Sequence, residues 1–442
     1  ADHGILLYNA TAPSSVLRNT VHNTSLEGIL VEGSANATVN NNIVYNTGRD
    51  AIAFYNSAKA TIIGNLIGYS SAGVSAGTDN IFGDGILLVD SDGDATKSAK
   101  IQGNYITETH NVVDNKGSGI QLINSDYVLV GSDGNGVNDA NEGNKITNAY
   151  WDGIRAVADT AAGNVIIRGN TITGMEQVGV FTSRMSNVII DKNTITSVGD
   201  NVILHHPSEP HGAITAYRGS DVVIKNNIID DVTGHGIYMN DVGGLNSRAD
   251  KNTISNVSED GIRIKDMERA VLESNKITDA GADGIHLLNS SNVMVGGVPL
   301  SEGNNILRVG DHGIEIDGGD NNYAHSNKID AAGINGIYVH NAATNIRAIG
   351  NIIRNINDGT GVFAEDSSNV EATSNWIYAS KEGVHFDNIQ GDNNHIHDNR
   401  IQDIENNGVT VEYGSVIDIS KNRISDIGGD GTSDGSGGTT DN

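Results

Sequence analysis

The sequence predicts an all-β chain, a single-stranded right-handed parallel β-helix (solenoid) of about sixteen coils with three short strands in each. Three observations predict it. A Gly-Ile-like pair recurs sixteen times, from Gly4 to Gly408, with Ala51 the exception and Gly212 the eighth member. An Asn-x-Ile/Val triplet follows each pair, from Asn19 to Asn422, and the spacing returns repeatedly to 22 to 26 residues. Apolar residues after the glycine alternate with period two, the signature of a strand, and no helical pattern of ordinary length intervenes. One supersecondary unit is therefore repeated along the chain.

Each element has its own warrant. The first strand of a coil is read from pairs such as Ile29/Val31, Ile120/Leu122, Ile262/Ile264 and Ile314/Ile316. The second recurs about a dozen residues on, as in Ala60–Ile63, Asn164–Ile167 and Asp221–Ile224, and the third follows the Asn triplet. Asn, Asp, Gly and Ser between them are turn formers, as a chain coiling in one direction requires. Stacked at one corner, the Asn amides are expected to hydrogen-bond above and below and to occupy a left-handed turn. The opening glycine is expected to supply positive φ or room for tight stacking.

The period makes residues 1–427 one elongated domain, and the Gly/Asp/Ser/Thr-rich residues 428–442 a flexible tail or linker. Lys plus Arg number 27 against 55 Asp plus Glu, a formal charge of -28. Such a surface repels nucleic-acid phosphates and anionic lipids, so no nucleic-acid partner is expected. No apolar segment approaches a membrane span, so no membrane insertion is expected either. With no cysteine, redox compartment is unreadable. Acidity, polar-residue richness and architecture point to an extracellular or cell-surface protein. Because open β-helix ends expose strand edges, other copies of the chain or flanking domains are expected at the ends.

Gly64-Asn65-Leu66-Ile67-Gly68 leading to Gly83-Asp84-Gly85-Ile86, and Val295-Gly296-Gly297 with Glu302-Gly303-Asn304-Asn305-Ile306, carry a resemblance. They resemble the GNxIG…GxGI and IGG…xGNxI segments of secreted right-handed β-helix repeat proteins, including large bacterial surface proteins of adhesin type. The resemblance covers nearly the whole chain and is specific for architecture. It implies a structural or adhesive module and, more weakly, a polysaccharide lyase or C5-epimerase.

On the first strand, the residue before the glycine and those two and four after it are expected to face outward. Read coil by coil, the central coils carry His211, His235, Tyr238, Arg263, Lys265, His286, His312 and Tyr338 there, with Asp260, Asp283, Glu315 and His340 among them. The segment His205–Pro210 is expected to enter beside the first of these. Abstraction of a uronate C5 proton needs a cation for the carboxylate, a base near neutrality and an acid. Arg263 or Lys265 fits the first role, His235, His286 or His312 the second, and Tyr238 or Tyr338 the third. The Asp-Pro-His motif that the epimerase resemblance implies is absent from the sequence. The other reading of the same array is carbohydrate binding or lateral packing. A glycosidase pair such as Asp260 and Asp283 is the weakest alternative.

Asp90, Asp92 and Asp94 are the candidate metal ligands, with Ca2+ the candidate ion, although position twelve of that loop is Ile101 rather than Glu. A second polar insertion of the same type runs from Asp133 to Asp139. Leu6, Leu30, Leu87, Ile123 and Val157 form an apolar outward strip that meets another chain or lies beneath inserted loops.

Overall fold

The computed structural model describes residues 2–71, 74–75, 80–110, 117–199 and 211–428. The His205–Pro210 segment and the tail beyond Gly428 lie outside them. The chain divides into two compact units, Ala1–Gly281 and Ala282–Asn442. Each is a parallel β-helix, with ten repeats of the Asn triplet in the first and six in the second. First strands pair in parallel with first strands, as Ile29 with Ile52 in the first unit and Ile314 with Ile337 in the second. Third strands likewise pair only with third strands, as Ile229 with Ile254 and Ile329 with Ile353.

The period-two residues point inward. Ile29, Val31, Ile262 and Ile264 are fully buried in the first unit, and Ile314, Ile316, Ile337 and Val339 in the second. In the last coil the equivalent Val411 is exposed, as are Ile419 and Ile424.

The Asn column is a continuous ladder within each unit. Asn104 Nδ2 donates to Asn144 Oδ1 at 2.9 Å and to the Ile62 carbonyl at 3.0 Å, while its own Oδ1 accepts the N–H and the amide of Asn65. Asn351 repeats this with Asn375, Ala324 and Asn327. The ladder asparagines do not themselves take the left-handed turn. At most rungs the preceding residue does, whatever its type: Asn41, Lys192, Lys251, Ser326 and Lys421 all have φ between 54° and 60°, whereas Gly143 and Gly303, before Asn144 and Asn304, are extended at φ -60° and -62°. The side chain is what the column needs from Asn; the turn is a backbone matter.

Nor do the opening glycines carry positive φ. A Cβ on Gly313 would lie 2.5 Å from the Gly336 carbonyl and 2.4 Å from Ile329 Cγ2. Close stacking is the reason for glycine. Pairing of Gly212 with His235 and Ile214 with Ile237 puts Ala213, not Gly212, in the opening position of its coil. The Ala-Ile pair hides this in the sequence, and it moves His211 one residue out of the expected column.

Candidate functional site

The residue before the opening position forms a second ladder, which the sequence reading did not anticipate. In the first unit the Asp50 carboxylate accepts the Asp84 N–H at 2.7 Å, and Asp84 accepts that of Ser118 at 2.8 Å. In the second unit Asp283 accepts the His312 N–H at 2.8 Å, and Asn335 that of Thr360 at 2.9 Å. From this column the side chain also reaches forward three residues to the first outward position of the strand. Asp152 meets Arg155 at 2.9 Å, Asp260 meets Arg263 at 3.2 Å, Asp283 meets His286 at 3.5 Å and Glu382 meets His385 at 2.9 Å. The signal was present as Asp-Gly-Ile-Arg twice, Asp-Gly-Ile-His and Glu-Gly-Val-His.

In the first unit these devices claim much of the candidate set. His235 Nδ1 accepts the Asp260 N–H at 3.2 Å, which leaves the proton of the neutral ring on Nε2, 2.9 Å from Glu259. That contact is the largest influence on Glu259 and, outweighing its partial burial, holds its carboxyl below the usual range. Tyr238, expected to face out to solvent, is only 1% exposed, as is His235, and the two rings stack at 5.7 Å. Their burial runs against the expectation of an open outward face. Arg263 lies beside Tyr238 and Lys265 beside Asn240 in the strand register. His211 contributes its carbonyl to the His235 N–H at 2.9 Å.

The apolar strip of the early coils divides as well. Leu30, Ala53 and Leu87 form a buried cluster with Tyr55, Val89 and Ile123 against it, whereas Leu6 is exposed. Beside the cluster lies a cavity of about 470 Å³ whose lining includes Glu27, Asp50, Tyr55 and Asp84. Burial first, then the fields of Asp50, Glu27 and Asp84, push the Tyr55 hydroxyl up to about 12.

The predicted calcium ligands do not converge. Asp90 occupies a left-handed corner at φ 48°, and Asp92 accepts the Asp126 N–H at 2.8 Å. Asp94 is paired with Lys59 at 2.5 Å and accepts the N–H groups of Thr96 and Lys97; these contacts, Lys59 foremost, hold its carboxyl well below the usual range. The Asp92 and Asp94 carboxylates are thus taken up by separate contacts.

In the second unit, His286, His312 and Tyr338 come together around two residues outside the predicted catalytic set, Glu315 and His340. Register places His286, Glu315, Tyr338, Phe363 and His385 in one outward column, with Asp317 beside His340 and Glu365 beside Asp387 in the next. Glu315 lies 3.2 Å from His286 Nδ1 and 2.9 Å from His340 Nε2. Burial pushes its carboxyl up, but hydrogen bonds from His340 and Asp283 and the nearby His286 and His312 bring it down to about 2.

Tyr338 stacks on His340 at 4.3 Å, on Phe363 at 5.4 Å and against His312 at 4.7 Å, and its hydroxyl donates to Glu365. Phe363 continues the run to His385 at 5.0 Å. His312 is 9% exposed, burial lowers its pKa, and its Nδ1 has no hydrogen-bond partner. The first strands of this unit, from Ile285–Leu288 to Val409–Glu412, contain no Lys or Arg.

The profile described as a right-handed beta helix region matches residues 2–131, 84–251, 246–388 and 301–441. The chain belongs to the right-handed β-helix family. Three solved structures of this architecture illustrate the likeness. The mannuronan C-5 epimerase AlgE6 A-module of Azotobacter vinelandii is 14% identical, with 70% of this chain and 90% of that one covered and a TM-score of 0.47. The AlgE4 A-module of the same organism gives 13%, 76%, 91% and 0.48. PfbA, a surface adhesin of Streptococcus pneumoniae, gives 11%, 89%, 83% and 0.42. No curated protein matches the sequence of this right-handed β-helix chain. Among the described residues no helix is long and apolar enough to cross a membrane.

Proposed function

We propose that this right-handed β-helix is an extracellular or cell-surface module that binds a neutral polysaccharide on the outward face of its second unit. The observation that carries the reading is the composition of that face. A stacked run of His312, Tyr338, Phe363 and His385 is flanked by Glu315, Asp317, Glu365 and Asp387, with no Lys or Arg on the strands. Aromatic faces receive the C–H faces of sugar rings, and carboxylates accept hydrogen bonds from sugar hydroxyls. A uronate polymer brings one carboxylate per residue to an acidic surface and is repelled.

The test is equilibrium binding to a panel of neutral and acidic polysaccharides. Neutral glycans should bind, and Phe363→Ala should weaken them about fivefold with the far-UV spectrum unchanged, since one aromatic stacking contact is worth on the order of 1 kcal/mol. Preference for alginate or pectate, or full binding by Phe363→Ala and Tyr338→Ala, defeats the reading.

The lyase or C5-epimerase alternative draws support from a different observation. In the first unit Tyr238 and Arg263 are register neighbours and His235 stacks on Tyr238, so an acid, a cation and a base sit on adjacent coils. Against it, Arg263 is already paired with Asp260 and both rings are shut off from solvent. Growth of absorbance near ~235 nm, or C5-proton exchange with solvent, on acidic polysaccharides would favour this alternative.

A further inference from the structure

The segment from Gly131 to Glu142 has the order of a calcium loop. Such a loop places oxygen ligands at positions one, three, five, seven, nine and twelve, with a backbone carbonyl at seven, Glu at twelve and glycine at six for the sharp turn. Counted from Gly131, position three is Asp133, five is Asn135, six is Gly136, seven is Val137, nine is Asp139 and twelve is Glu142. Of the positions that ligate through a side chain, the first alone lacks an oxygen. Gly131 ends a second strand at φ +99°, and a Cβ there would lie 1.9 Å from the Arg168 carbonyl of the next coil, so the stacking of coils excludes any side chain.

The fold brings these residues together. One ligand atom from each of Asp133, Asp139 and Glu142 lies within 4.8 Å of the other two. A short helix, Asp139–Glu142, carries the last two on one turn. A further observation distinguishes this place from ordinary surface acids: Asp139 Oδ1 is sealed from solvent and has no hydrogen-bond partner, while Oδ2 accepts the Gly136 N–H at 3.0 Å. A carboxylate oxygen hidden from water without a donor is costly unless a cation meets it. The protein cations beside the loop lie at Asp133, and neither is bonded to Asp139 Oδ1. Lys100 Nζ is 3.5 Å from Asp133 Oδ2, and Arg168 Nη1 donates to the Asp133 carbonyl at 3.0 Å.

We infer that residues 131–142 bind one Ca2+ through Asp133, Asn135, the Val137 carbonyl, Asp139 and Glu142. Hard oxygen donors on an irregular loop favour Ca2+ over Mg2+, which demands stricter octahedral geometry. The ion would fix the connection between the second strand Val128–Gly131 and the third strand Lys145–Ala149.

The experiment is calorimetric titration of the full chain with CaCl2 in physiological KCl and excess Mg2+. One saturable site is expected, with a Kd on the order of 10⁻⁴ to 10⁻³ M, the range of extracellular modules. Asp139→Asn and Glu142→Gln, which preserve shape, should each weaken it at least about tenfold with the far-UV spectrum unchanged. A paired Asp90→Asn, Asp94→Asn variant should bind as the parent does. Diffuse attraction of cations to a surface of net charge -28 would survive all of these substitutions. Binding that is not saturable, or that persists unchanged in both loop variants, overturns the assignment.

Discussion

The outward columns of the early coils and those of the second unit occupy the same strand positions, yet their contents are opposite. In the first unit Leu30, Ala53 and Leu87 are buried as an apolar cluster beside a cavity edged with carboxylates. In the second, Glu315, Tyr338, Phe363 and His385 occupy the equivalent column and make a polar, aromatic surface. The inward residues and the Asn ladder are alike in both. Scaffold and site are therefore separable in this fold: the ladder and core are set by the repeat, and what a coil offers to a ligand is set by three outward positions.

The sharpest test of that separation acts on the shared part. Asn104→Ala in the first unit and Asn351→Ala in the second should cost the same, roughly 3–5 kcal/mol, because each leaves a buried N–H, a buried amide and a buried carbonyl unsatisfied. Asn422→Ala, at a half-buried position of the last coil, should cost about 1–2 kcal/mol, since water replaces part of what is lost. Urea unfolding measures all three. Unequal costs at Asn104 and Asn351 would mean that the two units do not share one scaffold.

A smaller effect separates the units. The folded protein holds Glu315 at about 2 against an ordinary 4.5, so its stabilising contribution is complete above pH ~4.5 and is lost as the pH falls toward 2. After allowance for water at this partly open face, the loss is roughly 1–2 kcal/mol. Glu315→Gln should flatten the acid limb of stability for the second unit and leave that of the first unchanged, which amide exchange resolved by segment reads directly. An identical acid limb in the variant would remove Glu315 from its place at the centre of the histidine cluster.

Much of this was legible in the letters because a solenoid converts sequence period into contact. The Asn and Gly-Ile series gave strand, corner and core together, since each residue's neighbours are its own counterparts one period away. Reasons were harder to read than positions. The glycines answer to a carbonyl in the next coil and the left-handed turn belongs, at most rungs, to the residue before Asn, neither of which a single repeat displays. His312 and Tyr338 were found from their outward column, but Glu315 as their hub and Phe363 as the continuation of the stack depend on register between coils. The burial of Tyr238 depends on what lies over an outward position, which no period records. The Asp-x-x-Arg and Asp-x-x-His pairs join two columns across one strand, so no single column displays them.

The smallest expected effect concerns the acidic cavity of the first unit. Tyr55 ionises at about 12 because burial disfavours phenolate and because Asp50, Glu27 and Asp84 add negative charge around it. Asp50→Asn removes the largest of these charges while keeping an acceptor for the Asp84 N–H. The Tyr55 midpoint should then move down, with desolvation still keeping it above the ordinary value of 10. Ultraviolet titration of the variant against the parent, with Tyr55→Phe identifying the transition, measures the shift. Tyr338 is also raised, by burial first and by its bond to Glu365 next, and serves as an internal reference because it belongs to the other unit. A fall at Tyr55 alone shows that the early-coil acids act on the cavity as charges; a midpoint that stays in place shows that desolvation alone distinguishes the two faces there.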